Sequence, residues 1–184
     1  MIDIETLGLE NDAAIIQIAA CDIDNFDITF NHYLDWNSQI EAGRTSTEGT
    51  IHFWNRQPTE VYNRVVMNEE WADLEWVLSS FYDWCKKNRV LEYWVNGPVF
   101  DIGKLNNAYK FCNMTPPYKH YQVQDYKTAR QWTKVMGIPH GDTEEVNNHD
   151  ALDDCKYQAS RLIGWERTIK FLFDNAKKQY SYKL

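Results

Sequence analysis

The run Ala14-Ile15-Ile16-Gln17-Ile18-Ala19-Ala20-Cys21 restricts the fold more than any other stretch of the chain. It is apolar at every position except Gln17 and follows the turn-forming pair Asn11-Asp12, so it reads as a strand in the middle of a sheet. Residues 1–5 supply a strand before it. Residues 26–34 show the partial alternation of a half-exposed strand after it, across the turn pair Asp24-Asn25. Connections this short make the three strands an antiparallel meander.

Downstream, the apolar period lengthens to three and four. Trp71, Leu74, Leu78, Phe81 and Cys85 define a helix, with Asn68 as its expected N-cap and Glu69 and Glu70 in its first turn. A short aromatic strand, residues 91–96, stops at Gly97-Pro98, and Ile102, Leu105, Tyr109 and Cys112 mark the helix after it. Residues 121–125 form a fifth strand, and Ala129, Trp132, Val135 and Met136 a short helix ended by Gly137 and Pro139. From Asn148 onward, Ala151, Leu152, Cys155, Ala159 and Leu162 share a helical face; Gly164 is expected to separate them from a last helix carrying Trp165, Ile169 and Leu172. The order predicts an α/β fold with one mixed five-stranded sheet, antiparallel in its first three strands, parallel in its additions and flanked by helices. At 184 residues the chain fits one domain, 1–184, large enough to bury a core.

Composition narrows the chemistry. Cys21, Cys85, Cys112 and Cys155 are scattered and form no C-x-x-C pair, which argues against zinc or a disulfide scaffold and for core positions in a reducing cytoplasm. No 18-residue apolar run offers a membrane span, and the acidic start lacks the apolar stretch of a signal peptide. The formal net charge is −8, which disfavours a non-specific polyanion binder with a basic face. Clustered carboxylates that bind divalent cations remain compatible with it, because the ions reverse the local field.

The carboxylates carry the chemical signal. Asp3 and Glu5 stand two apart in the opening Met1-Ile2-Asp3-Ile4-Glu5, so a strand projects both to one face and turns Ile2 and Ile4 to the other. Two such acids repel unless a cation neutralises them, and hard oxygen donors suit Mg²⁺ or Mn²⁺. Alone, the pair also reads as a solvated strand face. Asp101 follows a strand and opens a helix. It is either a helix-start residue favoured by the dipole or a group in the crevice outside the strand ends, where α/β folds bind ligands. In the run from Asn148 to Cys155, Asn147 or Asn148 caps the helix and places His149 in its first turn. Asp154 lies beside the stripe of Ala151 and Cys155, whereas Asp150 and Asp153 point toward solvent.

In order and spacing, Asp3-Ile4-Glu5-Thr6, Asp101 and His149 with Asp154 resemble the three motifs of the DEDDh 3′–5′ exonucleases, DnaQ-like proteins of the ribonuclease-H-like fold. The resemblance runs from Met1 to about Leu162. The opening through Leu7-Gly8 and then residues 14–19 are similar to a phage-type subgroup akin to exonuclease A of the T-even phages and to ribonuclease-T-like proteins. Residues 47–57 resemble that subgroup's Trp-containing helix. One departure is the very short first strand, with two residues before Asp3.

The resemblance implies that Asp3, Glu5, Asp101 and Asp154 hold two divalent cations, Mg²⁺ or Mn²⁺, and that His149 is the general base. Neighbouring acids would raise the His149 pKa and favour mildly alkaline activity. Thr6 and Leu7 would meet the terminal nucleotide; Trp54 would either stack on a base or pack in the core. Lys104, Lys110, Lys119 and Arg130 are phosphate contacts or solvated surface. The implied activity is release of 5′-mononucleotides from the 3′ end of single-stranded nucleic acid, DNA favoured, in the cytoplasm of the cell or phage host. The alternatives are an exoribonuclease of the same family and a non-catalytic interaction module on the same fold.

Overall fold

In the computed structural model, which describes residues 1–139 and 149–181 with side chains to residue 177, strand β2 (Ile15–Cys21) is buried along its whole length. It pairs antiparallel with β1 (Ile2–Thr6) on one side and β3 (Thr29–Tyr33) on the other, the central position its apolar run predicts. Fully burying each of Ile15, Ile16 and Ile18 contributes roughly 1.5–3 kcal/mol over leaving it exposed. The register sets Asp3 opposite Ala19 and Glu5 opposite Gln17, then slips between Glu5 and Thr6.

Strands β4 (Tyr93–Val95) and β5 (Val123–Asp125) pair parallel but form a second, two-stranded sheet. This corrects the expectation of one five-stranded sheet. β4 runs beside β1 yet is only three residues long.

Helices cover both faces. α4 (Leu74–Lys87) turns Leu74, Val77, Leu78, Phe81 and Cys85 inward, and α5 (Asp101–Phe111) adds Ile102, Leu105, Ala108 and Tyr109. Together they pack on Ile2, Ile4, Ile18, Ala20 and Phe30 of the sheet. The N-cap of α4 is Asp73, which accepts from the Trp76 N–H at 3.1 Å. Asn68 instead orders the preceding turn by accepting from the Glu70 N–H at 2.7 Å. Between β3 and α4 lie α1 (Trp36–Glu41), α2 (Glu48–Trp54) and α3 (Thr59–Val65). Helices α1 and α3 have six and seven residues, too few for an apolar period to announce them. Trp54, Val65 and Val66 close over Leu7, Ala14 and Ile16 to form a separate small core.

The opposite face of the sheet is covered by α7 (Ala151–Ser181), whose small residues Ala151, Cys155 and Ala159 meet Ala19 and Cys21. The Cys155 thiol lies 3.5 Å from the Ala19 carbonyl. The helix continues through Gly164, correcting the expected break. A mid-helix Gly costs about 1 kcal/mol, which the burial of Trp165 and its stacking on Tyr126 at 5.3 Å offset. Helix α6 (Tyr126–Val135) buries Tyr126 and Thr133 and leaves Trp132, Val135 and Met136 exposed, the reverse of the face its sequence suggests.

Gln17 is the polar interruption of β2, and it is buried completely. Its amide donates to Asn31 Oδ1 at 3.0 Å and accepts the Ala151 N–H at 3.0 Å, pinning the start of α7 to the sheet. Gln17→Leu strands both partners, and we expect a loss of about 1–3 kcal/mol in urea unfolding. An unchanged midpoint would show that the pin does not matter.

Candidate active site

β1 delivers Asp3 and Glu5 to the face that α7 covers, while Ile2 and Ile4 enter the core beneath. Asp154, one turn into α7, completes the group. Ligand oxygens of Asp3, Glu5 and Asp154 all lie within 4.8 Å of one another. Asp101, the first residue of α5, is buried outside this close triad, but Asp3 and Glu5 both feel its charge.

The electrostatics are those of a site short of positive charge. Desolvation raises the Asp3 pKa well above the ordinary carboxylate value, and the charges of Asp101, Glu5 and Asp154 raise it further. Only the nearby Gln158 side chain, which favours the charged form of Asp3, opposes them. Glu5 is raised in the same way, by desolvation first and then by Asp154, Asp150 and Asp101. Desolvation pushes Asp101 to about 7 despite Lys127, its own backbone N–H, Lys104 and the Ile4 N–H, all of which favour its charged form. Three crowded carboxylate side chains offering only oxygen are a donor set for a hard divalent cation, and a cation there removes the repulsion that protonation otherwise has to relieve.

His149 stands just before α7, with a positive φ of 44°, rather than in its first turn. Its ring packs edge-on against Phe53 at 4.8 Å and Trp54 at 6.3 Å. Desolvation lowers its pKa, so the shift runs opposite to the rise expected from nearby acids. Trp54 is fully buried and donates through Nε1 to the Thr6 carbonyl at 2.9 Å, which is the packing role among the two left open for it. Leu7 is buried in the same small core, and Thr6 is buried with its hydroxyl donating to the Gly8 carbonyl at 2.8 Å.

The helix cap is Asp150. Its carboxylate accepts the Leu152 N–H at 3.0 Å and the Asp153 N–H at 3.3 Å. Asn147 and Asn148, expected to cap the helix, lie outside the described residues. Asp150 is buried rather than turned to solvent; it accepts from the Tyr33 hydroxyl at 3.1 Å and pairs with Arg64 Nε at 3.0 Å. Asp153 is exposed, as expected. Lys104 is no surface cation: it is buried, donates to the Leu9 carbonyl at 2.8 Å and sits 3.4 Å from the Phe100 ring centre.

Sequence reading missed Gln158, Gln17, Asp150, Arg64 and Phe53. Two had a visible signal. Gln158 lies four residues after Asp154, on the same helical face, and Gln17 is the sole polar residue in an apolar strand. Arg64 had none, because it acts from an unanticipated short helix.

Residues 1–163 match a family described as the 3′–5′ exoribonuclease Rv2179c-like domain. The chain belongs to that family. No curated protein matches it at a significant level. The Rv2179c-like assignment makes the protein a 3′–5′ exonuclease with a nucleic-acid substrate, and it covers every carboxylate of the cluster. No helix among the described residues is long and apolar enough to cross a membrane.

The raised acids tie stability to pH. Asp3, Glu5 and Asp101 titrate higher folded than unfolded, so the metal-free folded chain holds extra protons above pH 4. Their stabilisation is present at low pH and lost as pH rises through the raised values. In chelator, Tm should fall between about pH 5 and pH 8, and Mn²⁺ should raise it more at the higher pH. A flat profile without metal, or no Mn²⁺ effect, would contradict this electrostatic picture.

Proposed function

We propose that this exonuclease is of the DEDDh type on a ribonuclease-H-like fold and removes 5′-mononucleotides from the 3′ end of single-stranded RNA. The observation that supports it best is the close triad of Asp3, Glu5 and Asp154, with buried Asp101 beside it. The family description favours RNA over the DNA first expected. Asp3, Glu5, Asp101 and Asp154 would hold two divalent cations, Mg²⁺ or Mn²⁺. When bound, the ions supply charge stabilisation for the attacking and leaving oxygens of an in-line displacement.

The chain's own groups do the rest. A ring nitrogen of His149 accepts the proton of the attacking water; burial lowers its pKa, so the neutral, accepting form predominates at neutral pH. Phe53 and Trp54 fix the imidazole plane. Thr6 and Leu7 shape the pocket for the terminal nucleotide through the backbone they hold in place, with Trp54 bracing Thr6 from below. Gln158 orients Asp3.

Matched 5′-labelled RNA and DNA strands with Mn²⁺ test the proposal. A ladder of shortening products is expected, faster on RNA, with 5′-mononucleotide released. Asp3→Ala and Asp154→Asn should abolish it while leaving circular dichroism unchanged; activity in either removes the metal-ligand assignment. His149→Ala should slow the reaction by about 10²–10⁴-fold with Mn²⁺ binding retained. A rate equal to wild type would remove His149 as the base.

A further inference from the structure

Among the described residues, a second lysine near Asp101 has no hydrogen-bond or ion-pair partner for its ammonium. β4 and β5 run parallel with Val95 paired to Asp125, so the segments leaving their carboxyl ends emerge side by side. One leads through Gly97 to Asp101; the other leads directly into α6 and Lys127. Gly97 has a φ of +113°, and a Cβ built on it would lie 3.3 Å from the Lys127 Nζ. The lysine side chain therefore lies along the open face of the glycine and brings its ammonium toward Asp101. Lys127 is the first of the groups that favour the Asp101 carboxylate, ahead of Lys104.

The two lysines are employed differently. Lys104 is buried and bonded to the Leu9 carbonyl. Lys127 is exposed, and its hydrogen bond to Asp125 is made by the backbone N–H, not the ammonium. The ion pairs among the described residues are His52–Glu48 and Arg64–Asp150, so Lys127 lies near Asp101 without closing on it. An exposed ammonium near Asp101, unpaired among the described residues and with three donors, is suited to a phosphate oxygen. In a chain of net charge −8, a strand needs such a local cation to approach.

We propose that Lys127 is a substrate-binding residue that contacts a non-bridging oxygen of the nucleic-acid backbone on the Asp101 side of the site. The proposal rests on the exonuclease reading above. Its chemical class of ligand is the phosphodiester, not the base, so the contact is indifferent to sequence.

The test compares wild type, Lys127→Met and Lys127→Arg on labelled single-stranded RNA with Mn²⁺ over a range of salt, alongside calorimetric Mn²⁺ titration. Lys127→Met should raise KM about tenfold with kcat little changed, the loss of one charge-assisted hydrogen bond. The slope of log kcat/KM against log salt should become shallower by about 0.7, one phosphate contact on a single strand. Lys127→Arg should restore most of both, and Mn²⁺ affinity should stay at the wild-type value. Wild-type KM and salt slope in Lys127→Met would overturn the assignment. So would a changed Mn²⁺ affinity with an unchanged salt slope, which would confine Lys127 to its charge effect on Asp101. A wild-type protein that leaves every strand intact would instead overturn the exonuclease reading on which the assignment rests.

Discussion

The close seating of α7 on β2 is the contact on which the site depends. Ala151, Cys155 and Ala159 present little more than methyl-sized groups to Ala19 and Cys21, so helix and sheet approach until the Cys155 thiol meets the Ala19 carbonyl. At that separation Asp154 reaches Asp3 and Glu5. Two polar pins fix the register of the helix. Gln17 takes the Ala151 N–H, and Asp150 takes the next two donors while Tyr33 and Arg64 hold its other oxygen. A bulkier residue at Cys155 or Ala151 would lift the helix and separate the acids without altering any of them.

The seating works against Coulomb's law. Two unit charges 4 Å apart repel by about 4 kcal/mol at an effective dielectric of 20, and a whole domain is stable by only about 5–15 kcal/mol. Without a cation, burial and the neighbouring acids push the pKa values of Asp3 and Glu5 upward, and burial pushes that of Asp101 upward as well. A cation among the acids would relieve the same repulsion at positions the packing already brings together in the metal-free chain. That is the condition for tight and specific binding by a small, strongly hydrated ion.

Much of this was legible from period and spacing. The apolar run of β2 announced a central strand, the two-residue spacing of Asp3 and Glu5 put both on one face, and the stripe of Ala151, Cys155 and Ala159 placed Asp154 at the edge of the core. What was not legible depends on partners remote in sequence. Asp150 looked like one acid among several; its burial follows from Tyr33 and Arg64, more than 80 residues away. The break at Gly164 was a sound local expectation, overridden by the tertiary seat of Trp165 on Tyr126. The split of the sheet was not legible either: residues 91–96 read as one strand, but only Tyr93–Val95 are paired, and they pair with β5.

The charge of the chain sharpens how substrate is captured. With a net charge of −8, the long-range field repels a polyanion, and two cations of the site region are committed to structural partners while Lys127 is not. Lys104 supports the Leu9 loop and Arg64 holds Asp150. On the proposed function, attraction is local, arising at the carboxylate cluster once cations reverse its sign and at the few side chains that border it. Binding and chemistry then draw on the same charges, so loss of the ions should weaken capture of the strand as well as its cleavage. An enzyme with a separate basic groove would lose the second and keep the first, and the acidic surface of this chain argues for the shared arrangement.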